Sequence, residues 1–185
     1  MAQSAGKIYL LPAGEPDAAV VESLSVPLEK RFGFPCALAR PIRDIEFAYD
    51  PSRNQYFCTA LIRKIGERIP EDALRMLGIA GVDLFVPQLN FVFGEALMNG
   101  KVAVISLYRL DPRRYGDLGD TPRYLERTLK EAVHELGHTF GLEHCRDSRC
   151  VMFFSNSLLD TDRKGSEFCP ACDSKIRRIH SPLKC

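Results

Sequence analysis

The chain has 185 residues, 45% of them hydrophobic and 26% charged, which is enough apolar material for one substantial core and typical of a globular protein. Its 25 basic side chains almost cancel the 24 acidic ones, leaving a formal charge of +1, so neither a nucleic-acid backbone nor an anionic membrane surface is the expected partner. A monomer is expected. The first apolar run, 8–11, is too short for a signal-peptide core or a bilayer span and reads as a strand over 7–11. An unexported, cytoplasmic chain would keep its seven cysteines reduced, which favours metal thiolates over disulfides.

A helical stretch over 17–32 follows, with a kink expected at Pro27. Next come a strand over 37–42, a helix over 55–68 and a strand within 77–86. Strands alternating with amphipathic helices feed a largely parallel sheet, so the fold class is α/β. Two β-rich runs, 90–97 and 101–110, flank Asn99-Gly100, a dipeptide suited to the positive backbone angles of a tight turn, and predict one antiparallel pair. After a polar loop over 111–120, Thr121 reads as a helix N-cap with Pro122 in the first turn. Leu125, Leu129, Val133, Leu136 and Phe140 mark the buried stripe of a helix over about 122–140. Beyond Gly141 the chain is polar and cysteine-rich, so residues 142–185 form a small unit against a larger one over 1–141, and they need something other than a core to hold them.

That last helix carries the chemistry. His134, Glu135, His138, Gly141 and His144 form H-E-x-x-H-x-x-G-x-x-H, which would arise by accident in about one chain in 10⁵ of this composition. Residues four apart share a helix face, so His134 and His138 can aim at one zinc ion. On a continuing helix His144 would lie about 15 Å from His134, far beyond a shared ion with bonds of about 2.0–2.1 Å. The helix must stop, and Gly141 can take the left-handed conformation that ends it. Three imidazoles leave a fourth position open for water, and Glu135 is placed as general base. A solvated helix glutamate is the plainer alternative for Glu135, and a structural zinc completed by Cys145 is the plainer one for the histidines.

Cys145, Cys150, Cys169 and Cys172 have the paired spacing of a structural zinc, whose binding energy would substitute for the missing core. Two local disulfides or a Cys169/Cys172 redox pair are the competing readings. Cys36, Cys58 and Cys185 fit no pattern, and the first two read as packing residues.

The extended histidine motif resembles that of the metzincin metalloproteases, and Cys145, Cys150, Met152, Cys169 and Cys172 resemble those of the archaemetzincin branch. The stretches 90–94 and 106–110 are also similar to that branch, so the likeness covers about two-thirds of the chain. It implies a mixed, mostly parallel twisted sheet above the active-site helix, with a small zinc-stapled C-terminal subdomain below. It implies two zinc ions, one catalytic and one structural, and a turn at Met152 beneath the catalytic one. It also implies hydrolysis of a peptide or protein substrate held along an edge strand. The tyrosine that some metzincins place after the methionine is missing from the 153–168 interval, leaving the oxyanion partner unassigned. The alternative function is a zinc-binding regulatory or structural protein that keeps the architecture and cleaves little.

Overall fold

The structure is a computed structural model that describes residues 6–117 and 120–180. Its elements in chain order are β1 (Lys7–Ala13), α1 (Ala18–Ser23), α2 (Ser25–Phe32), β2 (Cys36–Leu38), β3 (Tyr49–Asp50), β4 (Gln55–Phe57) and α3 (Cys58–Gly66). They continue with β5 (Ala73–Ala80), β6 (Leu84–Phe85), β7 (Gly94–Ala96), β8 (Val102–Ser106), α4 (Thr121–Thr139), α5 (Leu158–Arg163) and α6 (Pro170–His180). The main sheet runs β2-β1-β5-β8-β7. Every pairing in it is parallel except β7 against β8, so β7 is an antiparallel edge strand on a parallel sheet.

The period-two geometry of the strands explains the two cores. Ile8 and Leu10 of β1, Leu77 and Ile79 of β5, and Ala103 and Ile105 of β8 face α1, α2 and α4. The intervening Leu11, Ala13, Met76, Ala80, Val102 and Val104 face Leu61, Ile62 and Ile65 of α3. All five residues of β8 are buried, as expected for a strand covered on both sides. Leu142, Val151, Met152 and Ile176 join the core on the α4 side, so the C-terminal residues contribute to a shared core rather than one of their own.

Several boundaries differ from expectation. The 17–32 helix breaks at Leu24, which ends α1 and begins α2; Pro27 falls in the first turn of α2, where its missing N–H costs no intrahelical bond. Only residues 36–38 of the second strand pair with β1, and Ile42 adds an isolated bridge to Ala13. Residues 55–57 belong to a small β3-β4-β6 sheet and the helix begins at Cys58; strands of two or three residues carry no legible period. The hairpin expectation holds, but the Gly100 amide donates to Leu97 O at 2.8 Å, so Met98 and Asn99 are the central turn residues. Asn99 alone of the Asn-Gly pair takes a positive angle, φ 56°. Asp120, accepting from the Arg123 amide, caps α4 in place of Thr121, because an aspartate one residue earlier reaches the third free N–H.

Candidate metal centre

From Lys130 to Phe140 every residue of α4 is buried, because the helix runs between the main sheet and the C-terminal segment. Leu125 and Leu129, expected in the buried stripe, are only half-buried, since they lie on the part of the helix that emerges from this cover. His134 and His138 lie one turn apart on its inner face. The helix ends at Phe140, Gly141 takes φ 85°, and the chain folds back to bring His144 beside them, as the spacing required. The ligand atoms of His134, His138 and His144 lie within 4.8 Å of one another. His134 Nε2 and His138 Nε2 are 3.1 Å apart.

Backbone carbonyls fix how two of these rings present themselves. His134 Nδ1 is 2.8 Å from Val151 O and His138 Nδ1 is 2.7 Å from Leu142 O. A carbonyl can only accept, so both Nδ1 atoms carry protons and both Nε2 lone pairs face each other. Two facing lone pairs need a cation between them. Tetrahedral zinc with bonds of about 2.0–2.1 Å sets its nitrogens about 3.3 Å apart, close to what is observed. Burial also holds His134 well below the ordinary imidazole range and lowers His138, which favours the neutral state a ligand requires. The residues fit a zinc ion.

The four thiols of Cys145, Cys150, Cys169 and Cys172 form a second group, likewise within 4.8 Å. Cys145 and Cys169 sulfurs are 3.7 Å apart, against about 3.75 Å for thiolates on tetrahedral zinc, and the structure pairs none of the four as a disulfide. Cys169 precedes α6, and the Cys172 amide, first among the causes, draws its thiol below the usual range. Burial pushes Cys150 up, and Cys172 strongly so; without a cation these two would stay thiols. Cys36, raised to about 12 by burial, and the fully buried Cys58, whose thiol burial and then the Glu95 and Glu135 carboxylates push up, belong to neither group and stay protonated. Cys185 lies outside the described residues.

The two clusters are tied together. His144 and Cys145 are adjacent; the Cys145 amide donates to Met152 O at 2.9 Å, and Val151 O accepts the hydrogen bond from His134 Nδ1. Met152 is fully buried beneath α4, and a Cβ on Gly137 would fall 2.6 Å from its sulfur, so this turn packs directly on the helix backbone between the histidines.

The histidines line a cleft of about 450 Å³ whose other walls come from residues 89–96, Met98 and residues 154–156. Glu135 reaches into it beneath the edge strand: a Cβ on Gly94 would lie 2.6 Å from Glu135 Cγ. Burial, and after it the nearby Glu131 carboxylate, raise Glu135 well above the ordinary carboxylate range, with Lys164 pulling the other way.

Four residues at this site were missed in sequence. Glu131 also lines the cleft, and its Oε1 accepts from Lys164 Nζ at 3.0 Å and Thr161 Oγ1 at 3.1 Å, all three buried. Its spacing from His134, Glu135 and His138, i+3, i+4 and i+7, was a usable signal. Lys164, Gly94 and Ser155 belong to no local pattern and become visible only in the fold.

Comparison with known proteins agrees with this geometry. The model of the family described as peptidase family M54 matches residues 21–178. The archaemetzincin of Pyrococcus furiosus is 42% identical over 175 residues, 91% of each chain, and that of Methanopyrus kandleri is 48% identical over 135 residues, 72% of each. The crystal structure of the M. kandleri archaemetzincin aligns with a TM-score of 0.83 at 36% identity over 97% of each chain. The Archaeoglobus fulgidus archaemetzincin, crystallised with malonate, aligns with a TM-score of 0.80 at 40% identity, over 91% of this chain and 99% of that one.

Proposed function

The chain belongs to peptidase family M54 and is a zinc metallopeptidase, and we propose that it cuts peptide bonds in the 450 Å³ cleft with Glu135 as general base. In this reading His134, His138 and His144 hold the catalytic zinc. Cys145, Cys150, Cys169 and Cys172 hold a second, structural one, making two ions per chain. The observation that carries the reading is the pair of carbonyl-anchored imidazoles with their Nε2 atoms 3.1 Å apart beside a buried glutamate.

When bound, zinc supplies Lewis acidity toward both a carbonyl and water. The protein does the rest. Val151 O and Leu142 O hold the two helix imidazoles in one tautomer, so they need no reorganisation on binding the ion. Glu135 takes a proton from the attacking water and returns it to the nitrogen of the departing amine as the carbon–nitrogen bond breaks. Burial raises its proton affinity above that of an ordinary carboxylate, the direction that favours taking up the water's proton. The edge strand β7 supports an extended substrate by backbone pairing, and Phe91, Phe93, Met98 and Phe154 offer apolar contact. Gly141 and Met152 are supports, one ending the helix and the other packing beneath it. On this reading the boundary between the two subdomains falls after Gly141, and the chain works as a monomer without nucleic acid.

No described helix is long and apolar enough to cross a membrane. The six described cysteines are all free of disulfides, which supports a reducing, cytoplasmic setting. Membership of a peptidase family weighs against the alternative of a zinc-binding protein that cleaves little.

The test is mass-spectrometric detection of cleavage in a diverse peptide mixture by the zinc-loaded protein and by Glu135→Ala with equal zinc content. Cleavage lost in the variant supports the reading. Equal cleavage by both, or none by either, overturns it.

A further inference from the structure

Among the described residues, one buried side-chain nitrogen or oxygen lacks a hydrogen-bond partner: Ser155 Oγ. Buried hydroxyls are almost always satisfied, and an orphan is retained where something else is gained. Ser155 lines the cleft, next to Phe154, whose ring lies 4.9 Å from that of His144. The cleft lining contains no lysine, arginine or tyrosine. Of its side-chain donors other than the histidines, Asn90 and Asn156 are exposed, which leaves Ser155 as the one shielded from water.

The segment that carries this hydroxyl is pinned at both ends. On one side the Phe153 amide donates to Cys150 O at 2.9 Å and Lys164 Nζ reaches Phe153 O at 3.5 Å. On the other, the amides of Asn156 and Ser157 both donate to Asp160 Oδ2, at 3.2 and 3.0 Å, in the capping box of α5. The backbone is thus fixed while the hydroxyl turns about one bond.

We propose that Ser155 is a catalytic residue whose hydroxyl donates to the substrate's scissile carbonyl oxygen as negative charge develops on it. A donor on a fixed backbone, one bond rotation from the cleft it lines, gives more to the transition state than to the ground state, because the charge it meets appears only during attack. The hydroxyl keeps its proton throughout, so the donation adds no step to the proton transfers of Glu135. This inference rests on the metallopeptidase reading of the cleft.

The experiment compares zinc-loaded wild type, Ser155→Ala and Ser155→Thr on one peptide that the wild type cleaves, recording kcat, KM, zinc content and melting temperature. Ser155→Ala should lower kcat by roughly 100- to 1,000-fold with KM within about twofold. Its zinc content should be unchanged and its melting temperature equal or higher, since an unsatisfied buried group has been removed. Ser155→Thr, which keeps a hydroxyl, should recover part of kcat. Two outcomes overturn the proposal alone: an unchanged kcat in Ser155→Ala, or a lower kcat accompanied by lost zinc or a lower melting temperature, which marks a structural hydroxyl. A wild type that cleaves no peptide overturns the underlying reading and this proposal with it.

Discussion

On the proposed reading, replacing Gly94 with alanine should disarm Glu135 without altering any of the three histidines. Gly94 is not among the residues with positive φ, so its backbone accepts alanine and only the space beneath it is tested. The new Cβ would sit 2.6 Å from Glu135 Cγ, 2.9 Å from Glu135 Cδ and 2.7 Å from Val104 O. Ordinary contact begins near 3.4 Å, so about 0.8 Å must be recovered. Val104 O is part of β8, paired on both sides within the sheet, and cannot yield cheaply. The strand and the glutamate must therefore separate. A displacement of about 1 Å at a reacting group costs on the order of 10²-fold in rate, equivalent to about 2.7 kcal/mol in the barrier. Overpacking should lower stability by about 1–3 kcal/mol. The assay measures kcat/KM on a peptide cleaved by the wild type, with zinc content and melting temperature measured on the same preparation. A variant that retains zinc and loses about 10²-fold in kcat/KM supports the placement of Glu135 against the edge strand; a kcat/KM within twofold of wild type refutes it.

Other perturbations have equally definite outcomes. Lys164→Met would leave the buried Glu131 carboxylate without its cation, costing about 3–5 kcal/mol and lowering the melting temperature by roughly 10 °C, and adding Glu131→Gln should restore most of the loss. Asp162 is held below the ordinary carboxylate range by the Arg127 guanidinium, at 2.6 Å, so the stability it contributes is complete above the unfolded pKa near 3.8 and is lost as pH falls through the lower folded value. The melting-temperature gap between wild type and Asp162→Asn should therefore narrow as pH falls from about 4 to 2, and a gap constant across that range would contradict the linkage. On the proposed reading, in which Cys145, Cys150, Cys169 and Cys172 hold a second zinc ion, Cys172→Ser should lower the metal content by one ion and raise amide exchange across residues 142–153; undiminished protection would count against that site.

What could be read in advance was whatever chemistry is written locally. The grouping of His134, His138 and His144, the need for a break at Gly141 and the clustered cysteines all follow from spacings within one helix or one loop, where geometry is set by rise per residue and by the handedness of a single φ. The main sheet was legible for a similar reason, because β1, β5 and β8 are long enough to show buried runs. The β3-β4-β6 sheet was not, since each member is too short to display a period. The residues that shape the cleft were missed on other grounds. Gly94 matters through contact with a residue 41 positions later, and Lys164 through one 33 positions earlier, and no spacing rule links them. Ser155 was hidden by its own lack of a partner. The capping error at Asp120 is the ordinary one- to two-residue uncertainty of a helix end, whereas the break at Leu24 falls inside the expected 17–32 helix.

The glycine that ends α4 has a second neighbour besides the angle it adopts. A Cβ at Gly141 would fall on the side-chain oxygen of Asn99, the one residue of the hairpin turn with a positive angle, and the Asn99 amide donates to His138 O at 3.1 Å. The hairpin tip thus serves as a clasp on the last turn of α4. The eleven-residue motif is consequently not a portable cassette: grafted onto another scaffold without a β-turn docked at this spot, it would carry its three histidines but lose the brace on the end of their helix.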